Sequence, residues 1–240
     1  MAVNENLLKR GADRKLYLAA AIGFPLLVLI GYFRTYYFRT FFDVKPLATS
    51  FVHVHAVVMT VWVIYFSSQI ALIRSRNFKL HMSMGLAGIA LAAIVVVVGM
   101  VAAYDAHLIR GTAPAGIDPR SFFLIPVSDM LLFIIFFSGA IYYRKRPTEH
   151  KSLMLLTALN FLPAAFGRIP VVPPKFMILW AFGMPSLLAI VSLVWHTWKH
   201  RKLNVVFALG VLLLVASNPL RIWFAGTETW LNFTAWLAGK

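Results

Sequence analysis

Long apolar stretches alternate with short polar or basic segments along the whole chain. A bilayer hydrocarbon core about 30 Å thick requires ~20 helical residues, and seven stretches reach or approach that length. The segments of alternating polarity that mark a membrane β-barrel are absent from the sequence. The predicted spans are Leu16–Phe33, Leu47–Ile73, Leu80–Tyr104, Ser121–Tyr143, Lys151–Ile169, Phe176–Trp198 and Leu203–Phe224. The sequence therefore predicts an all-α integral membrane protein, residues 1–240, with seven transmembrane helices in a single polytopic domain.

Two segments depart from the pattern of long apolar spans. The fifth span is short and contains Pro163, which interrupts helical hydrogen bonding. At the C-terminus, aromatic residues recur at helical spacing among polar ones, which predicts a short helix in the outer membrane interface. These aromatic residues are Trp230, Phe233 and Trp236.

The composition excludes two classes of protein. Hydrophobic residues make up 60% of the chain and charged residues 13%, whereas soluble domains have roughly 45–50% and 25%. A chain of 240 residues has too little interior to bury so much apolar surface, so it is neither soluble and globular nor disordered. The chain has no cysteine, which excludes disulfides, thiolate metal sites and thiol catalysis.

The positive charge predicts the orientation of the chain. Its formal net charge is +15, and 14 of its 23 Lys and Arg residues lie at one set of span ends. The positive-inside rule places those ends in the cytoplasm, with the N-terminus inside and the C-terminus outside. We expect a bacterial inner (plasma) membrane, with anionic lipid headgroups rather than nucleic acid as partners. The inner residues are Lys9, Arg10, Arg14, Lys15, Arg74, Arg76, Lys79, Arg144, Lys145, Arg146, Lys151, Lys199, Arg201 and Lys202.

Polar residues within the predicted spans are candidates for function because they are costly in a bilayer. Asp129 lies ~12 Å below the outer edge of the fourth span. Three more polar residues fall at a similar depth, which indicates either a structural hydrogen-bonded clamp or a site. They are His55, Asn160 and Asn218. The nearby His53 points about 200° away from His55 on a regular helix, so one metal ion cannot easily bind both.

A second group of histidines lies at the cytoplasmic face. His81 and His150 each follow a basic loop and begin a span, which suggests an internal pseudo-repeat. Such a pair can supply axial imidazoles to a haem, or can simply be headgroup-level histidines. His196 and His200 share a helix face, but surrounding cations disfavour a bound metal ion, so we interpret them as interface residues.

Several short motifs resemble those of the cytochrome b561 family of transmembrane electron carriers. They cover the second to fifth spans and imply a b561-like core over about residues 47–170, with additional helices at 16–33, 176–198 and 203–224. The family's fold is a four-helix bundle that holds two haems b between histidines on alternate helices. The motifs are His55-Ala-Val-Val-Met59, Gln69-Ile-Ala-Leu-Ile-Arg74, Lys79-Leu80-His81, Val98-Gly-Met-Val-Ala-Ala-Tyr104-Asp105-Ala-His107 and Arg146-Pro147-Thr-Glu-His150.

The resemblance implies a role for particular residues. His81 and His150 match the inner haem ligands, and His55 matches an outer ligand. The fourth ligand has no counterpart, because Ser121–Tyr143 contains no histidine. The resemblance therefore implies one inner haem b and puts the outer haem in doubt. The family also binds an anionic reductant through inner-loop cations, which correspond to Arg74, Arg76 and Lys79.

Our leading hypothesis is a haem b membrane redox protein that transfers electrons within or across the membrane. One alternative is a cofactor-poor accessory subunit of a larger membrane complex. The sequence leaves open whether the chain forms homo-oligomers instead. Another is a membrane hydrolase with a zinc-activated water. For the outer layer we predict that Asp129 contacts His55 or His53, directly or through one water or metal ion. His53, His55 and Asp129 are therefore the candidate metal ligands.

Overall fold

The computed structural model describes residues 2–44 and 47–239, with side chains from residue 14 onward. Within these ranges it is helical and contains no strand, which confirms the predicted all-α class. The α-helices are α1 (Ala2–Tyr32), α2 (Phe51–Arg74), α3 (Phe78–Tyr104), α4 (Pro119–Tyr142), α5 (Pro147–Phe166), α6 (Met177–His200), α7 (Val205–Ala225) and α8 (Glu228–Leu237).

Six helical segments of the described chain are long and apolar enough to cross a membrane, which indicates an integral membrane protein. They are Arg14–Tyr37, Phe51–Arg74, Phe78–Ile109, Pro119–Tyr142, Pro174–His200 and Val205–Ala225. The predicted fifth span falls mostly on α5, which is not among them. Twelve of the 20 residues of α5 are buried, including polar Ser152, Thr157 and Asn160. Because α5 contacts protein rather than lipid along most of its surface, it can be less apolar than its neighbours.

The first five helices form a closed ring in chain order. Each of α1 to α4 packs against the next helix, and α1 also packs against α5, which closes the ring. Helices α6 and α7 lie outside it, where both contact α5 and α7 also contacts α4. The N-terminal helix, which the sequence placed outside the b561-like core, thus lies between α2 and α5.

Aromatic side chains fill the interior of this ring. Phe24 of α1 meets Phe66 of α2 edge-on, with ring centroids 5.5 Å apart. Trp62 of α2 reaches across to Phe133 of α4 at 4.9 Å, and Phe133 lies 5.0 Å from Phe161 of α5. Such pairs add roughly 0.5–1.5 kcal/mol each beyond their buried area. The core therefore ties four of the five ring helices together.

Polar side chains fix where several helices begin. The side chains of Asn77, Asp118 and Asn204 accept backbone N–H groups at the starts of α3, α4 and α7. These are preferred N-cap residues, since they satisfy donors that the first turn leaves unpaired. Hydrogen bonding from Arg120 also holds the pKa of the Asp118 carboxyl below its usual value. Helix α5 begins instead at Pro147, whose missing N–H costs nothing there.

Two contacts define the ends of the bundle. At one end, Arg74 Nη1 donates to the backbone oxygen of Arg14 at 3.3 Å, so the early part of α1 lies beside the α2–α3 turn. At the other end, Trp230 Nε1 of α8 donates to the backbone oxygen of Arg120 at 2.8 Å. The hydroxyl of Tyr104 donates to the Leu237 oxygen at the same end. Helix α8 therefore caps the end where α3 finishes and α4 begins.

Candidate functional site

The imidazole rings of His81 and His150 meet at the end of the bundle that carries the basic loops. His81 lies in the first turn of α3 and His150 in the first turn of α5. Their ring centroids are 6.5 Å apart and the ring planes are nearly perpendicular, at 79°. The fold thus brings together the two histidines that follow the similar basic loops.

One of these imidazoles has a fixed orientation. The Nδ1 atom of His150 lies 2.8 Å from the backbone oxygen of Ala140, which can only accept a hydrogen bond. His150 Nδ1 therefore carries the proton, and the Nε2 atom carries a lone pair that can bind a metal. Histidines that bind metals commonly make this kind of contact through the nitrogen opposite the metal. The Nδ1 atom of His81, in contrast, is buried without a hydrogen-bond partner.

The separation of the two rings suits axial ligands of one metal centre. Taking ~2 Å for a metal–imidazole bond, two rings on opposite sides of one ion have centres roughly 6 Å apart. A bare ion needs further protein ligands, yet no group of three His, Asp or Glu side chains converges within the described residues. A haem supplies its own equatorial ligands and needs only the two imidazoles. His81 and His150 have a ring separation close to that of such an axial pair.

An apolar cleft lies between α3 and α4. It has a volume of about 330 Å³, with Ile89, Ala92, Phe133 and Ile141 among its lining residues. Ile141 directly follows Ala140, whose oxygen holds His150. Neither His81 nor His150 is among the residues that line the cleft.

Models of protein families, curated proteins and solved structures all gave no match to this chain.

A second polar feature is a buried ion pair between α4 and α7. Arg221 Nη1 lies 2.5 Å from Asp129 Oδ1, and the two residues are only 4% and 8% exposed. Arg221 also donates to the hydroxyl and backbone oxygen of Ser217, one turn earlier on α7. Its guanidinium lies over the ring of Phe182 on α6, 5.4 Å from the centroid. The charge of Asp129 is thus neutralised within the protein.

Two of the residues predicted to share a layer with Asp129 lie in this region. Asn160 Nδ2 of α5 donates to the backbone oxygen of Asp129 at 2.8 Å. Asn218 Nδ2 of α7 donates to Ser186 Oγ of α6 at 2.9 Å. These contacts join α4 to α5 and α6 to α7, as a structural hydrogen-bonded clamp would.

Prolines surround this polar region. Helices α4, α5, α6 and α7 each contain an internal proline within three residues of a member of the hydrogen-bonded set. A proline removes one helical hydrogen bond and distorts the helix locally. In a membrane, neighbouring helices and polar side chains must compensate for that loss. The prolines are Pro126, Pro163, Pro185 and Pro219.

The structure does not support the outer metal site. The prediction that Asp129 contacts His55 or His53 gave the wrong partner, because the Asp129 carboxylate pairs with Arg221. His53 is exposed, and its Nδ1 lies 3.2 Å from the Tyr36 hydroxyl. The Nδ1 atom of His55 is buried without a hydrogen-bond partner. His53, His55 and Asp129 thus do not form a group that could hold a metal ion.

The other candidates lie near the end of the bundle that carries the basic loops. Arg74, Arg76 and Lys79 are all exposed around the turn that precedes His81, so they are available to an anionic partner. His196 and His200 stack on one another with centroids 4.3 Å apart at the end of α6. Their placement agrees with a shared helix face, but His196 is only 2% exposed, so its interpretation as an interface residue is wrong.

Sequence reasoning missed Arg221, and it named Gln69 only as part of a motif, with no role of its own. Arg221 is an unmatched cation inside the seventh predicted span, at a depth similar to that of Asp129. Opposite charges at one depth in a membrane protein are expected to pair, so this signal was available. Gln69 is a polar residue in an apolar span, and the structure shows it 8% exposed.

Proposed function

We propose that the protein is a membrane redox protein that holds one haem b between His81 and His150. The observation that carries this proposal is the approach of the two rings to 6.5 Å, with His150 Nδ1 already bound to a carbonyl oxygen. The b561-like motifs of α2 to α5 support it independently. When bound, a haem supplies one-electron chemistry through its iron.

The chain's own residues supply ligation, orientation and insulation. His81 and His150 would hold the haem through their imidazoles, and the Ala140 oxygen orients that of His150. Phe133 and Ile141 line an apolar cleft between α3 and α4. Exclusion of water and burial are the means by which proteins tune a haem's potential.

The first test is an absorption measurement on the whole purified protein. Protein expressed with haem available should give a b-type reduced-minus-oxidised spectrum with low-spin character. A stoichiometry near one haem per chain is expected, because His55 has no histidine opposite it on α4. A preparation without haem contradicts the proposal, and two haems per chain would contradict the single-site assignment.

We also propose that α5 is a seventh membrane crossing. Its 20 residues extend about 30 Å, the thickness of a hydrocarbon core. Seven crossings are consistent with the position of Arg14 at one end of the bundle and α8 at the other. The excess of basic residues at the Arg14 end supports an N-terminus in the cytoplasm of a bacterial cell, with the chain in its plasma membrane.

Reporter fusions test this topology. A reporter inserted in the loop near Arg146 should report the cytoplasm, and one fused after Lys240 should report the outer side. Lys240 itself lies outside the described residues. If both fusions report the same compartment, the number of crossings between them is not odd. That result would show that α5 does not cross the membrane.

A further inference from the structure

Two buried polar atoms near the inner end of the ring lack hydrogen-bond partners. One is His81 Nδ1, and the other is Nε2 of Gln69 on α2. Gln69 is only 8% exposed, so water does not readily replace the missing partner. A buried donor without a partner destabilises the folded protein. The two side chains therefore have hydrogen-bonding capacity that this structure leaves unused.

The helix pairing places Gln69 at the depth of His81. A three-residue turn joins α2 and α3 as antiparallel neighbours, so position 69 lies opposite Ser83, within one turn of His81. One turn further from the α2–α3 turn, the Tyr65 hydroxyl donates to the backbone oxygen of Met84 at 3.1 Å. That contact independently fixes the pairing of the two helices.

Gln69 also faces the interior of the ring. It follows Trp62 by two helical turns, and seven residues bring it back to within about 20° of the same direction. The ring of Trp62 contacts Phe133 and Phe137 of α4, at 4.9 and 5.8 Å between centroids. Gln69 therefore points toward the space between α3 and α4. His81 lies in the first turn of α3, at this end of that space.

We propose that Gln69 is a positioning residue that orients His81, an inference that rests on the proposed haem site. When Nε2 of His81 binds iron, its Nδ1–H needs an acceptor, as metal-bound histidines generally do. Rotation of the Gln69 amide presents its oxygen in place of its nitrogen. One hydrogen bond from His81 Nδ1 to Gln69 Oε1 then satisfies the imidazole. The two ligands are thus held differently, because the acceptor for His150 is a backbone oxygen.

The test is a redox titration of three variants of the haem-loaded protein. Gln69→Met removes the acceptor, which lowers the basicity of His81 and should raise the midpoint potential. Gln69→Glu supplies a stronger acceptor and should lower the potential. Ser68→Ala is the matched control, because Ser68 Oγ makes its hydrogen bond within its own helix, to the Tyr65 oxygen at 2.8 Å. The control should keep the wild-type potential.

The outcomes separate this inference from the proposed function. A wild-type protein without haem overturns the haem site itself. A haem-loaded wild type with unchanged potentials in both Gln69 variants, or with shifts of the same sign, overturns the role of Gln69 alone. Loss of haem from Gln69→Glu while Ser68→Ala retains it also overturns that role, since the carboxylate preserves an acceptor. Loss from Gln69→Met alone supports it.

Discussion

Replacing His81 with Ala is expected to abolish the b-type spectrum of the purified protein. In the proposed site the two imidazoles hold the haem, and their ring centroids lie 6.5 Å apart on helices that are not adjacent in the chain. Removal of either ring leaves the iron with one protein ligand, so a low-spin signal cannot persist. The same loss is expected for His150→Ala. Absorption spectra normalised to protein concentration measure the effect.

His107→Ala provides the control for a nonspecific loss of haem. His107 lies near the opposite end of the bundle, where its Nδ1 contacts the backbone oxygen of Thr112 at 2.5 Å. This variant should retain the full haem signal. Retention of a low-spin spectrum in His81→Ala, or an equal loss in His107→Ala, would contradict the assignment. Size-exclusion profiles in detergent verify that each variant is folded.

The helices were predictable because apolar length is a strong signal in membrane proteins. The approach of His81 to His150 was also suggested, since each begins a helix after a basic loop and such starts lie at one membrane face. Their ligand role stays a prediction. Helix α5 was harder to interpret, because a helix enclosed by protein no longer needs the composition of a lipid-facing span.

Depth along a helix did not identify the partner of Asp129. Residues at one depth can lie on opposite sides of a bundle, and the sequence gives no order for helices that are distant in the chain. The resemblance favoured α2 as the neighbour of α4. In the structure α7, which lies outside the ring of the first five helices, packs against α4. The pairing with Arg221 therefore required the fold. Gln69 was named in a motif but given no role, because a single amide in an apolar span gives no sign of its direction.

The buried ion pair is expected to have the largest effect on stability. Arg221→Met leaves the carboxylate of Asp129, itself 8% exposed, without its cation. Removing one partner of a buried pair costs about 3–5 kcal/mol, because the other charge stays buried and unpaired. Asp129→Leu should cost a similar amount, since it leaves the Arg221 guanidinium buried. Unfolding by denaturant in detergent measures the free energy of unfolding for each variant.

The double variant distinguishes an unpaired charge from a simple loss of packing. Asp129→Leu combined with Arg221→Met removes both charges, so most of the lost stability should return. Arg120→Met is the matched control, because Arg120 and Asp118 form a pair of the same type at 2.8 Å whose side chains are 42% and 37% exposed. An exposed pair contributes little to stability, so this variant should unfold nearly as the wild type does. Additive losses in the double variant would show that Asp129 and Arg221 are not coupled, and the ion pair would then have no role in joining α4 to α7.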